Sequence, residues 1–171
     1  MQMVKNILLV LLVSWLAIIV FMPKQALYYK MEETLATQEV VLNETSIEEG
    51  LFSLTLHQVT VYVKGIPVAT VEEVKFFTLL FFSRLSVDTL LLDDSLKKML
   101  PTKLNHAEIT HSVASALNVI VHAQGSFDAL EGNIDLGTSS VRLDFNESKN
   151  IEVLKSQLKK DEKGWYYETS F

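Results

Sequence analysis

The side chains able to do chemistry are few in this sequence, and their spacing points away from catalysis. The histidines are His57, His106, His111 and His122, and there is no cysteine. Disulfides, thiolate metal sites and cysteine nucleophiles are therefore excluded. His106-Ala-Glu-Ile-Thr-His111 looks superficially like a zinc-binding pair. Two ligands on one helical face need an i, i+4 spacing; i, i+5 misses that face, and on a strand it puts the rings on opposite sides. Six glycines leave little from which to build a phosphate-cradling loop, and no Gly-x-Ser-x-Gly elbow occurs. Glu72-Glu73 and Asp93-Asp94 are adjacent acids. Neighbours on a strand point apart, whereas acid–base carboxylates must converge on one bond. These pairs read as a solvated edge and a turn. The expectation is a non-enzymatic protein with no catalytic residue, no metal and no cofactor.

Binding is better represented than reaction. Lys75 to Ser83 reads KFFTLLFFS, with Phe76, Phe77, Leu79, Phe81 and Phe82 crowded around Leu80. Read as one strand, it is apolar on both faces. It is then either a central strand covered on both sides, or a strand with one face lining a groove or lying on a membrane. On the second reading, Phe76, Phe77, Leu79, Phe81 and Phe82 are candidate contacts for lipid or a partner protein. Lys149, Lys155, Lys159, Lys160 and Lys163 cluster near the C-terminus, offset by Glu152, Asp161 and Glu162. They form a solvated face or a contact for an anionic head group or acidic partner. Asn43-Glu44-Thr45 and Asn146-Glu147-Ser148 match the glycosylation tripeptide. Asp144 precedes the second in the manner of the stricter acidic bacterial sequon, so Asn146 is a candidate glycosylation site.

The elements that must position these residues begin with a membrane segment. The chain has 171 residues and a net charge of −6, which fits one domain. Residues 1–30 hold three lysines and no acid, +3; the rest hold 12 basic and 21 acidic side chains, −9. A domain of that charge repels polyphosphate, so nucleic acid is not an expected partner. Residues 7–22, ILLVLLVSWLAIIVFM, contain no charge and only Ser14 as a polar residue. A cleaved signal peptide lacks a small-x-small site here, and a core helix would show a polar face. An uncleaved single span fits best, with Lys5 and Lys24 reaching the head groups and Tyr28 and Tyr29 at the interface. The flanking charges tie, and the short leader argues for a cytoplasmic N-terminus and an exported acidic domain.

Beyond the span, Leu27, Met31 and Leu35 recur every four residues, predicting a helical stalk to about Thr37. The period then becomes two. Phe52, Leu54 and Leu56 lead to Val59, Val61 and Val63, a phase change that requires a strand pair or a bulged strand. Leu85, Val87, Thr89 and Leu91 alternate. Further strands are expected over 66–74, 117–123, 130–136, 141–145 and 165–171. Short helices are expected after Asp93-Asp94-Ser95 and from Ser148 to Gly164. The predicted fold is mostly β: residues 1–22 as cytoplasmic tail and anchor, 23–38 as stalk, and 39–171 as a mainly antiparallel sheet domain with two short helices.

The string MPKQALYYKMEETL, followed by GLFSLTLHQVTVYVKGIPVATVEEVKF and later VHAQGSFDALEGNIDLGTSSVRL, resembles type II secretion system protein N and the wider AsmA-like envelope proteins. The likeness covers residues 23–143 and rests on strand rhythm and glycine positions. It implies a bacterial inner-membrane anchor with a curved periplasmic β-sheet and partners among envelope or secretion-complex proteins. Relatives act in secretion, or move lipid along an apolar groove. This chain is shorter: ten strands at ~4.8 Å give a sheet only ~48 Å across.

Overall fold

The computed structural model describes residues 2–79, 81–94, 96, 103–146, 151, 155, 158–162 and 164–171. Helix α1 (Gln2–Phe21) is apolar around its whole circumference. At ~1.5 Å per residue its 20 residues extend ~30 Å. It is long and apolar enough to cross a membrane, a property it shares with signal sequences. Pro23, which lacks an N–H, separates it from α2 (Lys24–Thr37). The second helix ends where the sequence predicts, but it is not a free stalk. Tyr28 is 3% exposed and joins a core cluster with Leu54, Leu56, Val59 and Val71. Leu27 and Met31, the expected apolar stripe, remain exposed.

The remaining elements form a single antiparallel sheet. Its strands are β1 (Val40–Asn43), β2 (Ser46–Glu49), β3 (Ser53–Val63), β4 (Ile66–Leu79), β5 (Phe82–Leu92), β6 (Lys103–Ser112), β7 (Asn118–Gly125), β8 (Asp128–Asp135), β9 (Ser140–Phe145), β10 (Lys159–Asp161) and β11 (Gly164–Ser170). The order is β1-β3-β4-β5-β6-β7-β8-β9-β11-β10, with β2 beside β1 on the same edge of β3. The mostly-β, antiparallel reading is borne out. Three local expectations are corrected. The run from Lys75 to Ser83 is not one strand: Leu79 pairs Phe82, so it folds back as a hairpin. Strand β6 was not foreseen. The C-terminal helix does not reach Gly164, because Lys159–Asp161 is a strand and Gly164, at φ +137°, opens β11. The expected helix after Asp93 and most of the one from Ser148 lie outside the described residues.

A coordinated phase slip organises the sheet. On β3 the inward residues change from Leu54 and Leu56 to Val59, with Gln58 at φ 51° between them. The pairing register does not shift there, since His57 pairs Glu73 and Val59 pairs Val71; the alternation changes on both strands at once. Across from it, β4 passes from Val74 to Val71, and β5 from Val87 to Leu90, with Thr89 at φ 49°. On β6 the change runs from Ala107 to Leu104, at a register shift against β7. Two residues intervene on each of four adjacent strands, so the apolar rows stay aligned on both sides of the slip.

This corrects the expected inward position of Leu91, which is 46% exposed, while Leu90 packs on the core. Leu90→Ser should therefore destabilise the full chain by roughly 1–3 kcal/mol, and Leu91→Ser by no more than about 0.5 kcal/mol. Denaturant unfolding in detergent measures both; the reverse order would mean that β5 alternates without a slip.

Candidate functional site: an apolar face and its end pocket

The aligned phases place one apolar side chain per strand in each row. One row is Leu54, Phe76, Leu85, Ile109 and Val121. The next is Leu56, Val74, Val87, Ala107 and Ala123, continued by Leu130, Phe145 and Trp165. Among the described residues, Tyr28 packs at the β3 end of this face, and Phe127 and Ile151 at the β7–β11 end. Between them Leu85, Val87, Ile109 and Val121 are half-buried.

At the α1 end this face runs into a pocket of about 260 Å³. Ile19 and Met22 from the close of α1 form one wall; Leu27, Tyr28 and Met31 of α2 form another. Phe52, Leu54, Phe76 and Thr78 supply the sheet side. Lys24 is the one charged residue in the lining. Its ammonium lies 3.7 Å from Glu49, whose carboxylate also accepts the Lys24 backbone N–H at 3.3 Å. The walls are otherwise suited to hydrocarbon.

Behind the pocket, the Tyr28 hydroxyl donates to Glu44 at 2.9 Å. Burial, then this carboxylate, pushes the Tyr28 pKa well above the usual phenol value. Burial, and the charge on Glu44, also raise the Glu32 carboxyl. The inward turn of α2 thus sets Glu32 and Glu44 close to the buried Tyr28. The helical pattern gave no sign of it, because Tyr28 and Glu32 lie off the Leu27–Met31–Leu35 stripe.

The five candidate contacts are divided by the hairpin. Phe76 faces the pocket. Phe77 pairs Arg84, and Leu79 pairs Phe82, on the opposite face. The Arg84 guanidinium sits 5.3 Å from the Phe82 ring centre. Phe81 is exposed in the turn. Asn146 is exposed just beyond β9, its N–H bonded to the Ala129 carbonyl at 3.2 Å; Ser148 of its tripeptide lies outside the described residues.

The titratable groups line the other face. His57 lies 3.6 Å from Glu73 and 3.7 Å from Glu48, and His106 contacts Asp88 at 2.5 Å. His57, Glu73, Asp88 and His106 occupy one row across four strands, beside the slip. His111 lies on the opposite face from His106 and its Nε2 meets the Ala116 carbonyl at 3.1 Å. Among the described residues no group of three or more His, Asp or Glu is placed to hold a metal. Arg142 is pinned between Asp144, at 2.8 Å, and Asp161, at 2.6 Å, and hydrogen bonds to both keep its pKa above the ordinary arginine value. Of the lysine cluster, Lys159 pairs Glu168 at 3.0 Å and Lys160 stacks 5.7 Å from the Trp165 ring centre. Lys149 and Lys163 lie outside the described residues.

Compared with protein-family models, with curated proteins and with solved structures, the chain matches none.

The raised Glu32 pKa has a testable sign. A carboxyl raised in the folded state opposes folding once ionised, and this cost disappears below its ordinary pKa, about 4.3 for Glu. Glu32→Gln should raise the thermal midpoint at pH 7, and the gain should vanish as pH falls below about 4. A gain that persists in acid would show that the charge is not its cause.

Proposed function

We propose that this chain is a non-enzymatic, single-span protein of the bacterial inner membrane, and that its periplasmic sheet holds lipid acyl chains on its apolar face. The observation that carries the reading is the apolar face running into a hydrocarbon-lined pocket whose walls include the end of α1. If α1 stays in the bilayer, the pocket lies at the membrane surface, where an acyl chain can enter without crossing water. The register shifts at Val61 and Tyr62 of β3 and at Leu104 and His106 of β6 support a curved sheet, because bulges bend and twist the strands that carry them. Curvature, the N-terminal apolar helix and one-sided patterning are what the AsmA-like resemblance implies, and an accessory role in envelope assembly accommodates them.

A second reading is a protein-binding accessory of a type II secretion complex. Strand β10 pairs only Gly164, Trp165 and Tyr166 of β11. Among the described residues, no strand pairs the same edge of Tyr167, Glu168, Thr169 and Ser170. An extended segment of a partner protein can add to such an edge.

Lipid extraction from the full chain, purified in mild detergent, separates the readings. Mass spectrometry should find phospholipid in near-molar ratio. Phe76→Ser should reduce it severalfold, while Phe77→Ser, on the opposite face, should leave it unchanged. Protein free of lipid, with secretion-complex proteins captured instead, would favour the edge.

A further inference from the structure

We propose that the α1 end of the sheet is a membrane-contact rim: a row of uncharged turns whose apolar side chains enter the head-group region of the bilayer that holds α1. This rests on the anchoring proposed above and adds to it a second contact with the same membrane. The register fixes which turns share an end. Ser53 pairs Phe77, Leu79 pairs Phe82, Phe82 pairs Ser112, Asn118 pairs Asp135, and Ser140 pairs both Asp135 and Ser170. Residues 50–52, 113–117 and 136–139, with Phe81 and Phe171, therefore lie along one end, as does the connection that joins Leu79 to Phe82.

Their sequences, Gly-Leu-Phe, Leu-Phe, Val-Ala-Ser-Ala-Leu and Leu-Gly-Thr-Ser, contain no Asp, Glu, Lys or Arg. Each connection nevertheless presents a large apolar side chain: Leu51, Phe81, Leu117, Leu136 and finally Phe171, between 46% and 72% exposed. One exposed leucine is ordinary; one on every connection of a single end is a pattern. The adjoining Asp135 carboxylate is turned into its own turn, accepting the N–H groups of Gly137 and Thr138 at 2.8 and 3.0 Å. The opposite end differs. Its connections carry Lys64, Asp93 and Asp94, and the Phe127 of another is buried.

Chain geometry selects the bilayer as the occupant. Only Met22 and Pro23 separate the two helices, so Lys24 lies within about 11 Å of Phe21 at ~3.8 Å per Cα step. Met22 and Lys24 share the pocket with Phe52 and Thr78, next to two of these turns. A membrane-embedded α1 therefore holds this end of the sheet at the surface. From β3 to β11 the rim covers seven strand spacings, about 34 Å at ~4.8 Å each.

The absence of cysteine makes the test direct. Leu51→Cys, Phe81→Cys, Leu117→Cys and Leu136→Cys variants of the full chain are labelled singly with a fluorophore. They are then reconstituted into phosphatidylcholine–phosphatidylglycerol nanodiscs containing brominated lipid. Leu11→Cys reports the helix; Ile66→Cys, exposed and apolar at the far end, is the control. The rim labels should be quenched by lipid about threefold or more beyond the Ile66 label, as expected for interfacial insertion. Rim labels quenched no more than Ile66, with Leu11 strongly quenched, would overturn the rim and leave the anchor standing. An unquenched Leu11 label would overturn the anchor, and the rim with it. Rim labels quenched by one another but not by lipid would place a second copy of the chain on this end, also overturning the proposal.

Discussion

The structure depends on keeping one face of a wide sheet apolar while the alternation of its strands is interrupted. A strand has a side-chain period of two, so an unmatched one-residue slip would turn every following apolar residue to the wrong side. Gln58 makes that slip on β3 and Thr89 on β5, and both take up positive φ to do so. Such backbone costs roughly 1–3 kcal/mol per non-glycine residue. The aligned rows offset it: Val59, Val71, Leu90 and Leu104 resume the apolar face begun by Leu56, Val74, Val87 and Ala107. A change of phase confined to one strand would have broken that face. Shared by four, it leaves the face intact.

The same slip accounts for the arrangement of two of the histidines. His57, Glu73, Asp88 and His106 are the residues just beside it, brought into one row by the pairing. On a half-solvated face, polar side-chain pairs across strands contribute modestly to pairing, about 0.2–1 kcal/mol each. The contacts run along the row, His57 to Glu73 and Asp88 to His106.

How far the fold was legible follows from the residues at the slip. In Leu54, Leu56, Val59 and Val61 the change of phase is written in the sequence, because Thr55, His57 and Thr60 mark the polar positions. In β5 the residues at 90, 91 and 92 are all leucine, so hydrophobicity carries no phase and the unbroken alternation was a natural misreading. Strand β6, KLNHAEITHS, is mainly polar, and its own slip removes what periodicity it has. The hairpin within KFFTLLFFS was hidden for a related reason: the sequence between Leu79 and Phe82 contains none of the glycine, asparagine or proline that usually mark a turn. The pocket was harder to see. It joins residues 19–31 to residues 52–78, and the stripe Leu27, Met31, Leu35 suggested a packing face other than the one that Tyr28 uses.

The incomplete cover over the apolar face bears on what the sheet is for. A face wholly covered is simply a core, and a face wholly open invites association. Among the described residues the face is covered at both ends and half-buried across β5 to β7. Closing the middle would take little: one more apolar helix along Leu85, Val87, Ile109 and Val121 would bury them. Among the described residues α2 makes its main contacts with β1, β2 and β3. A partly covered hydrocarbon surface that begins beside the last turn of an apolar helix suits a flexible apolar ligand better than a folded partner. A chain of methylenes gains about 0.8 kcal/mol for each group removed from water, wherever along the face it lies. It therefore needs continuity of the rows more than it needs a sculpted fit, and continuity is what the coordinated slip preserves.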